Sequence, residues 1–148
     1  MTRDLIKFLQ DAEHKKHATD IGTDMHAKMQ RIIVDNNIIC GDKEIVDKIK
    51  NRADLSPFFV KDAQTEVAIA GFVRGIFISR RIDRLLINHN TKTIDFIDYK
   101  TDTNKDAFIE QYKRQLKEYA ELLSSAYSGY KINGYILWLH DWCLDKVI

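Results

Sequence analysis

Apolar residues recur at helical spacing through the first sixty positions and then shift toward β-branched and aromatic runs. Leu5, Ile6, Phe8 and Leu9 make one helical stripe. Met25, Met29, Ile32 and Ile33 make a second, entered through Ile21-Gly22-Thr23-Asp24, where Thr23 or Asp24 can cap the free amides of a helix start. A third, short helix is predicted from Lys43 to Asn51, and Pro57, the sole proline, marks a break before the next element. From Glu66 the texture is that of strands, over Thr65–Phe72, Gly75–Asn88 and Thr93–Lys100. The turn residues Asn88-His89-Asn90-Thr91 predict that the last two form an antiparallel hairpin. Lys105–Tyr127 holds neither Gly nor Pro and reads as one long helix, ended by Ser128-Gly129. Ile132–Leu139 reads as a buried strand. The predicted fold class is α/β in one domain, 1–148, with a helical part over 1–62 and a sheet core over 63–148 that carries the long helix 105–127.

Composition narrows the function classes. With 148 residues and 45% apolar content, a single core forms without disulfides or a structural metal. No apolar run reaches a membrane-spanning length and no secretory leader opens the sequence, so a cytoplasmic protein with no membrane partner is expected. Cys40 and Cys143 lie far apart and outside any C-x-x-C pair, which argues against a zinc ribbon or an iron–sulfur cluster; both are expected to be reduced core thiols. Twenty-three basic against twenty-two acidic residues leave a formal charge of +1, so the whole-chain field gives no pull toward nucleic acid. Locally, Arg74, Arg80, Arg81 and Arg84 crowd a stretch in which Asp83 is the only acid.

Candidate chemistry concentrates on the third strand. Ile94, Phe96, Asp98 and Lys100 share one parity, so an apolar strand face ends in a carboxylate and an ammonium, roughly 6.6–7 Å apart along the strand. Asp83 shares its parity with Phe77, Leu85 and Ile87, and pairing of the two strands lets the two acids approach. Two half-buried carboxylates repel, and burial favours their neutral forms, so positive charge must compensate them. Lys100 supplies one charge; an oxygen-preferring divalent cation, Mg²⁺ or Mn²⁺ rather than zinc, would supply the rest. A structural Asp98–Lys100 pair beside a surface Asp83 fits the same spacing. On the long helix, Tyr112, Gln115 and Tyr119 line one face. His14 and His17 read as part of a solvated helix face, and His89 and His140 as surface residues.

These residues carry a resemblance. Ile94-Asp-Phe-Ile-Asp98-Tyr-Lys100-Thr-Asp, preceded by Arg80-Arg-Ile-Asp83-Arg-Leu and followed by Tyr112-x-x-Gln115-Leu-x-x-x-Tyr119-Ala, resembles the nuclease domain of the RecB and AddA helicase–nucleases, within the PD-(D/E)XK superfamily. Gly22-Thr-x-x-His26 and Glu66 extend the likeness in the same order from about residue 20 onward. The resemblance implies a mixed central sheet flanked by helices and a Mg²⁺- or Mn²⁺-dependent DNA nuclease, expected to be an exonuclease in double-strand-break repair and recombination that leaves 5′-phosphate and 3′-hydroxyl ends. It implies that His26, Asp83, Asp98 and the backbone carbonyl of Tyr99 hold the metal, and that Asp83, Asp98 and Lys100 are catalytic, with Lys100 positioning the attacking water. Glu66 is implied as a further active-site acid, and Tyr112, Gln115, Tyr119 and Thr101 as substrate-binding residues. The implied partners are single- or double-stranded DNA ends and a helicase, since no G-x-x-x-x-G-K-[ST] provides an ATP site here. Relatives usually carry a glycine where this chain has Arg80. The alternative is an inactive module of the same fold that binds DNA or docks a helicase.

Overall fold

The computed structural model describes residues 24–148; the Leu5–Leu9 stripe, the Gly22-Thr23 entry, His14 and His17 lie outside the described residues. Helix α1 covers 24–30 and sets Met29 in the core, with Ile32 following just beyond it, both with 0% of their surface exposed. The predicted helical stripe does not continue. Ile33–Val34 forms strand β1, which pairs antiparallel with β2, Ile39–Cys40. The β-branched run Ile32-Ile33-Val34 followed by Asp35-Asn36-Asn37 is strand-turn chemistry, and Asp35 closes the turn by accepting the Asn36 amide at 2.8 Å. Cys40 is consequently exposed and Cys143 half-buried, so neither is the core thiol the composition suggested.

Helix α2, Lys43–Lys50, starts where Asp42 accepts the Ile45 amide at 3.2 Å, and buries Ile45, Val46 and Ile49. A 3₁₀ turn, Ser56–Phe59, begins at the predicted break and buries Phe58 and Phe59. Then comes a five-stranded mixed sheet built from β3 (Gln64–Val73), β4 (Ile76–Asn88), β5 (Thr93–Lys100), β6 (Lys131–Trp138) and β7 (Cys143–Lys146), side by side in that order. Only the β5–β6 pairing is parallel, and helix α3, Lys105–Ala126, makes that crossover. Its first turn is capped by Asn104, which accepts the Ala107 amide at 3.3 Å. The edge strand β7 was missed in the sequence because Cys143–Lys146 is short and half polar.

Two layers cover the central strands. On one face, Leu116, Tyr119 and Leu123 of α3 pack on Ile94, Phe96, Ile136 and Trp138. On the other, Ile97, Tyr99, Leu137 and Leu139 pack on Met29, Ile32, Ile45, Ile49, Leu55 and Phe59. This double burial explains why β6 reads as a nearly continuous apolar run.

Side-chain alternation slips at one row of this sheet. The β3–β4 register holds Thr65 opposite Arg84 and Val67 opposite Ile82, which sets Glu66 across from Asp83. The β4–β5 ladder ends at Arg84 opposite Ile97, which sets Asp98 next in line beyond Asp83. Three acids therefore share one row across β3, β4 and β5. Ile82 joins the α3-side cluster, whereas Arg84, two residues on, lies over the Phe59 ring on the opposite face, 4.3 Å from its centroid. Glu66 accommodates the slip in a left-handed conformation, φ 52°, that a non-glycine residue seldom adopts. The expected common face of Phe77, Asp83 and Leu85 is thus broken: Phe77 is 61% exposed and Leu85 is 1% exposed.

Candidate active site

The slip turns the Asp83 side chain toward β5, where its Oδ2 accepts the Tyr99 amide at 2.7 Å. A carboxylate thereby takes the place of a ladder carbonyl. His26, on α1, reaches the same oxygen, with Nε2 at 3.2 Å. The His26 ring also sits edge-on to Tyr99, centroids 5.6 Å apart. Tyr99 is pinned at its far end by Arg84 Nε, which donates to its hydroxyl at 2.9 Å. Burial pushes that phenol up to about 12, against the pull of Arg84.

Asp98 is the buried centre, its side chain only 7% exposed. Burial raises its carboxyl well above the usual carboxylate range; Lys100 pulls it back down and the neighbouring Asp83 charge pushes it further up. Lys100 Nζ lies 2.8 Å from Asp98 Oδ2, yet that oxygen has no hydrogen-bond partner. At this separation the ammonium attracts the carboxylate by charge without the alignment of a full hydrogen bond. The Lys100 ammonium is instead aligned with Gln115 Oε1, 2.9 Å away, and stands 4.1 Å above the Tyr112 ring.

The α3 face completes the clamp. Gln115 Nε2 donates to the Tyr119 hydroxyl at 2.9 Å, and the Tyr112 hydroxyl donates to Asp102. Burial, reinforced for Tyr112 by Asp102 and for Tyr119 by the site's carboxylates, raises both phenols. His26, Asp83, Tyr99, Asp98, Lys100, Gln115, Tyr119 and Tyr112 thus form one continuous chain of contacts, drawn from α1, β4, β5 and α3. Thr101 follows Lys100 and is half-buried. Glu66 shares the row but turns to Arg81, whose Nη1 lies 3.7 Å from its Oε2. Sequence reasoning missed Asp102, which Tyr112 anchors, and the structural part played by Arg84, although a lone arginine entering the apolar run Leu85-Leu86-Ile87 was a visible signal.

Among the described residues, no three His, Cys, Asp or Glu side chains are gathered as a metal-binding group. The donor chemistry nonetheless fits a hard dication: two carboxylates are adjacent, Lys100 pairs with Asp98 alone, and one buried Asp98 oxygen lacks an aligned donor among the described residues. Asp83 and Asp98 would hold it. His26, whose Nε2 lies 3.2 Å from Asp83 Oδ2, would stand beside it as a further ligand.

No helix among the described residues is long and apolar enough to cross a membrane. Compared with known proteins, the sequence matches no family model and no curated protein.

Proposed function

We propose that this chain is a Mg²⁺- or Mn²⁺-dependent DNA nuclease domain of the PD-(D/E)XK type, an exonuclease working at DNA ends beside a helicase in double-strand-break repair. The observation that supports it most is Asp98, a carboxylate buried next to a second carboxylate with one oxygen lacking a donor. A site built only for stability would give that oxygen an aligned donor, because a buried acceptor left without a hydrogen bond costs about 1–3 kcal/mol even where a counter-charge is near. Mg²⁺ or Mn²⁺, when bound, supplies Lewis-acid polarisation of the phosphate and a lowered pKa for water.

The chain's own residues supply the rest. Asp83 and Asp98 fix the position of the ion's ligand oxygens on adjacent strands, and the Tyr99 amide holds Asp83 in place. Lys100, at the strand end, is 15% exposed and can face both a water and a phosphate oxygen, where its charge stabilises the negative charge that develops on attack. Gln115 and the Tyr112 ring hold the ammonium in one position, so little reorganisation accompanies the reaction.

The test is cleavage of linear single- and double-stranded DNA by the purified chain with Mg²⁺ or Mn²⁺, alongside an EDTA control and Lys100→Ala. Metal-dependent degradation that disappears in Lys100→Ala is the expected result. Equal degradation by the variant, or degradation in EDTA, would overturn the assignment.

A further inference from the structure

A cleft of about 440 Å³ opens beside Lys100. Its near wall is Lys100 and Gln115 of the candidate site; its far wall is Arg80 from β4 with Gln111, Arg114 and Glu118 from α3. The wall follows from periodicity. Gln111, Arg114, Gln115 and Glu118 stand at i, i+3, i+4 and i+7 and share one helix face, while Arg80, opposite Ile69, lies on the side of β4 that α3 covers.

The charges of this cleft do not cancel. Asp98 is matched by Lys100 at 2.8 Å. Glu118 is matched by Arg80, whose Nη2 lies 3.6 Å from its Oε2 and whose Nη1 donates to the Ser79 carbonyl at 3.0 Å. Arg114 is exposed and has no ion-pair partner among the described residues. One guanidinium is thus held by a carboxylate and a carbonyl with donors left over, a second has no ion-pair partner among the described residues, and Gln111 lines the same cleft. Guanidinium forks and amides in an open cleft match phosphate oxygens. A volume of this size suits a nucleotide or two.

We propose that Arg80 and Arg114 grip the backbone phosphate that neighbours the scissile one, so that this cleft holds the strand being cut against Lys100. The inference rests on the nuclease reading and adds two positioning residues to it. It also resolves the near-neutral net charge: the phosphate contacts are concentrated in one cleft rather than spread over the surface.

Binding of a fluorescein-labelled twelve-nucleotide oligothymidylate is followed by anisotropy in EDTA, where no metal-dependent cleavage occurs, at several KCl concentrations. Arg80→Ala/Arg114→Ala is expected to bind about tenfold more weakly at low salt and to lower the slope of log K against log salt by about 0.7, the one single-strand phosphate that the two arginines share. Arg80→Lys/Arg114→Lys, which keeps both charges, is expected to retain most of the slope. Arg114→Glu, a change on an exposed helix position with little effect on folding, is expected to weaken binding at least as much as the alanine at that site. Unchanged affinity and slope in the alanine double variant and in Arg114→Glu, with wild-type cleavage intact, would overturn the cleft while leaving the nuclease reading standing. A wild-type chain that neither binds the oligonucleotide nor cleaves DNA with metal would overturn both.

Discussion

Arg84 and Asp98 are both charged and buried, at 1% and 5% of their surface exposed, on neighbouring strands, and the fold treats them in opposite ways. Arg84 is supplied on all sides. It donates to the Tyr99 hydroxyl and to the carbonyls of Met29, Ile32 and Phe58, and its guanidinium lies over the Phe59 ring. It thereby collects the free carbonyls at and beyond the end of α1 and ties them to the sheet. Asp98, by contrast, has a like charge for a neighbour, a misaligned lysine and an oxygen without a donor. Burial alone does not separate framework from function; how completely the buried charge is satisfied does. A saturated charge stabilises the fold, whereas an undersupplied one is what the proposed cation would complete.

The comparison can be broken most forcefully at Arg84. Arg84→Ala leaves four buried acceptors short and opens a cavity, at a cost of at least about 4 kcal/mol. That is much of an ordinary domain's margin, and loss of the cooperative thermal transition checks it. Asp98→Asn should do the reverse. It removes the repulsion with Asp83, so metal-free Tm at pH 8 should rise by about 2–4 °C, while cleavage falls on the order of 10³-fold or more. Gln115→Ala sharpens the picture, since it frees the Lys100 ammonium without removing a ligand; a rate loss of about tenfold is expected, read from single-turnover cleavage.

The smallest effect is in pH. Asp98 has a folded-state pKa raised by burial, so its contribution to stability is intact below the ordinary carboxylate range and is lost as pH rises through the raised value. Metal-free wild-type Tm should therefore fall by a few degrees between about pH 4 and pH 8, and Asp98→Asn should flatten that part of the profile.

Much of the site was legible because it sits on the most regular elements. The parity of Asp98 and Lys100 on β5 and the face shared by Tyr112, Gln115 and Tyr119 on α3 are consequences of simple periods, and the structure brings these residues together. The sequence pattern failed where periodicity itself fails. Counting by two from Phe77 through Asp83 to Leu85 assumes an unbroken strand, whereas the left-handed Glu66 and the inward turn of Asp83 reset the count. Ile33 followed the helical stripe of Met25 and Met29, but β-branched residues ahead of an Asp-Asn-Asn turn favoured a strand pair. The cysteines were misplaced for a related reason: Cys40 lies on a two-residue strand with no layer over it. Arg80 and Arg114 lie 34 positions apart in the sequence, and only the packing of α3 beside β4 makes them neighbours of one cleft.

The most direct measurement is a thermal-unfolding titration with Mn²⁺ at pH 8, wild type against Asp98→Asn. The account predicts a wild-type Tm that climbs with metal concentration as a ligand of the native state requires, and a variant that starts higher and does not respond. An equal response in both proteins, or none in the wild type, would contradict the claim that Asp98 is held short of partners for a cation.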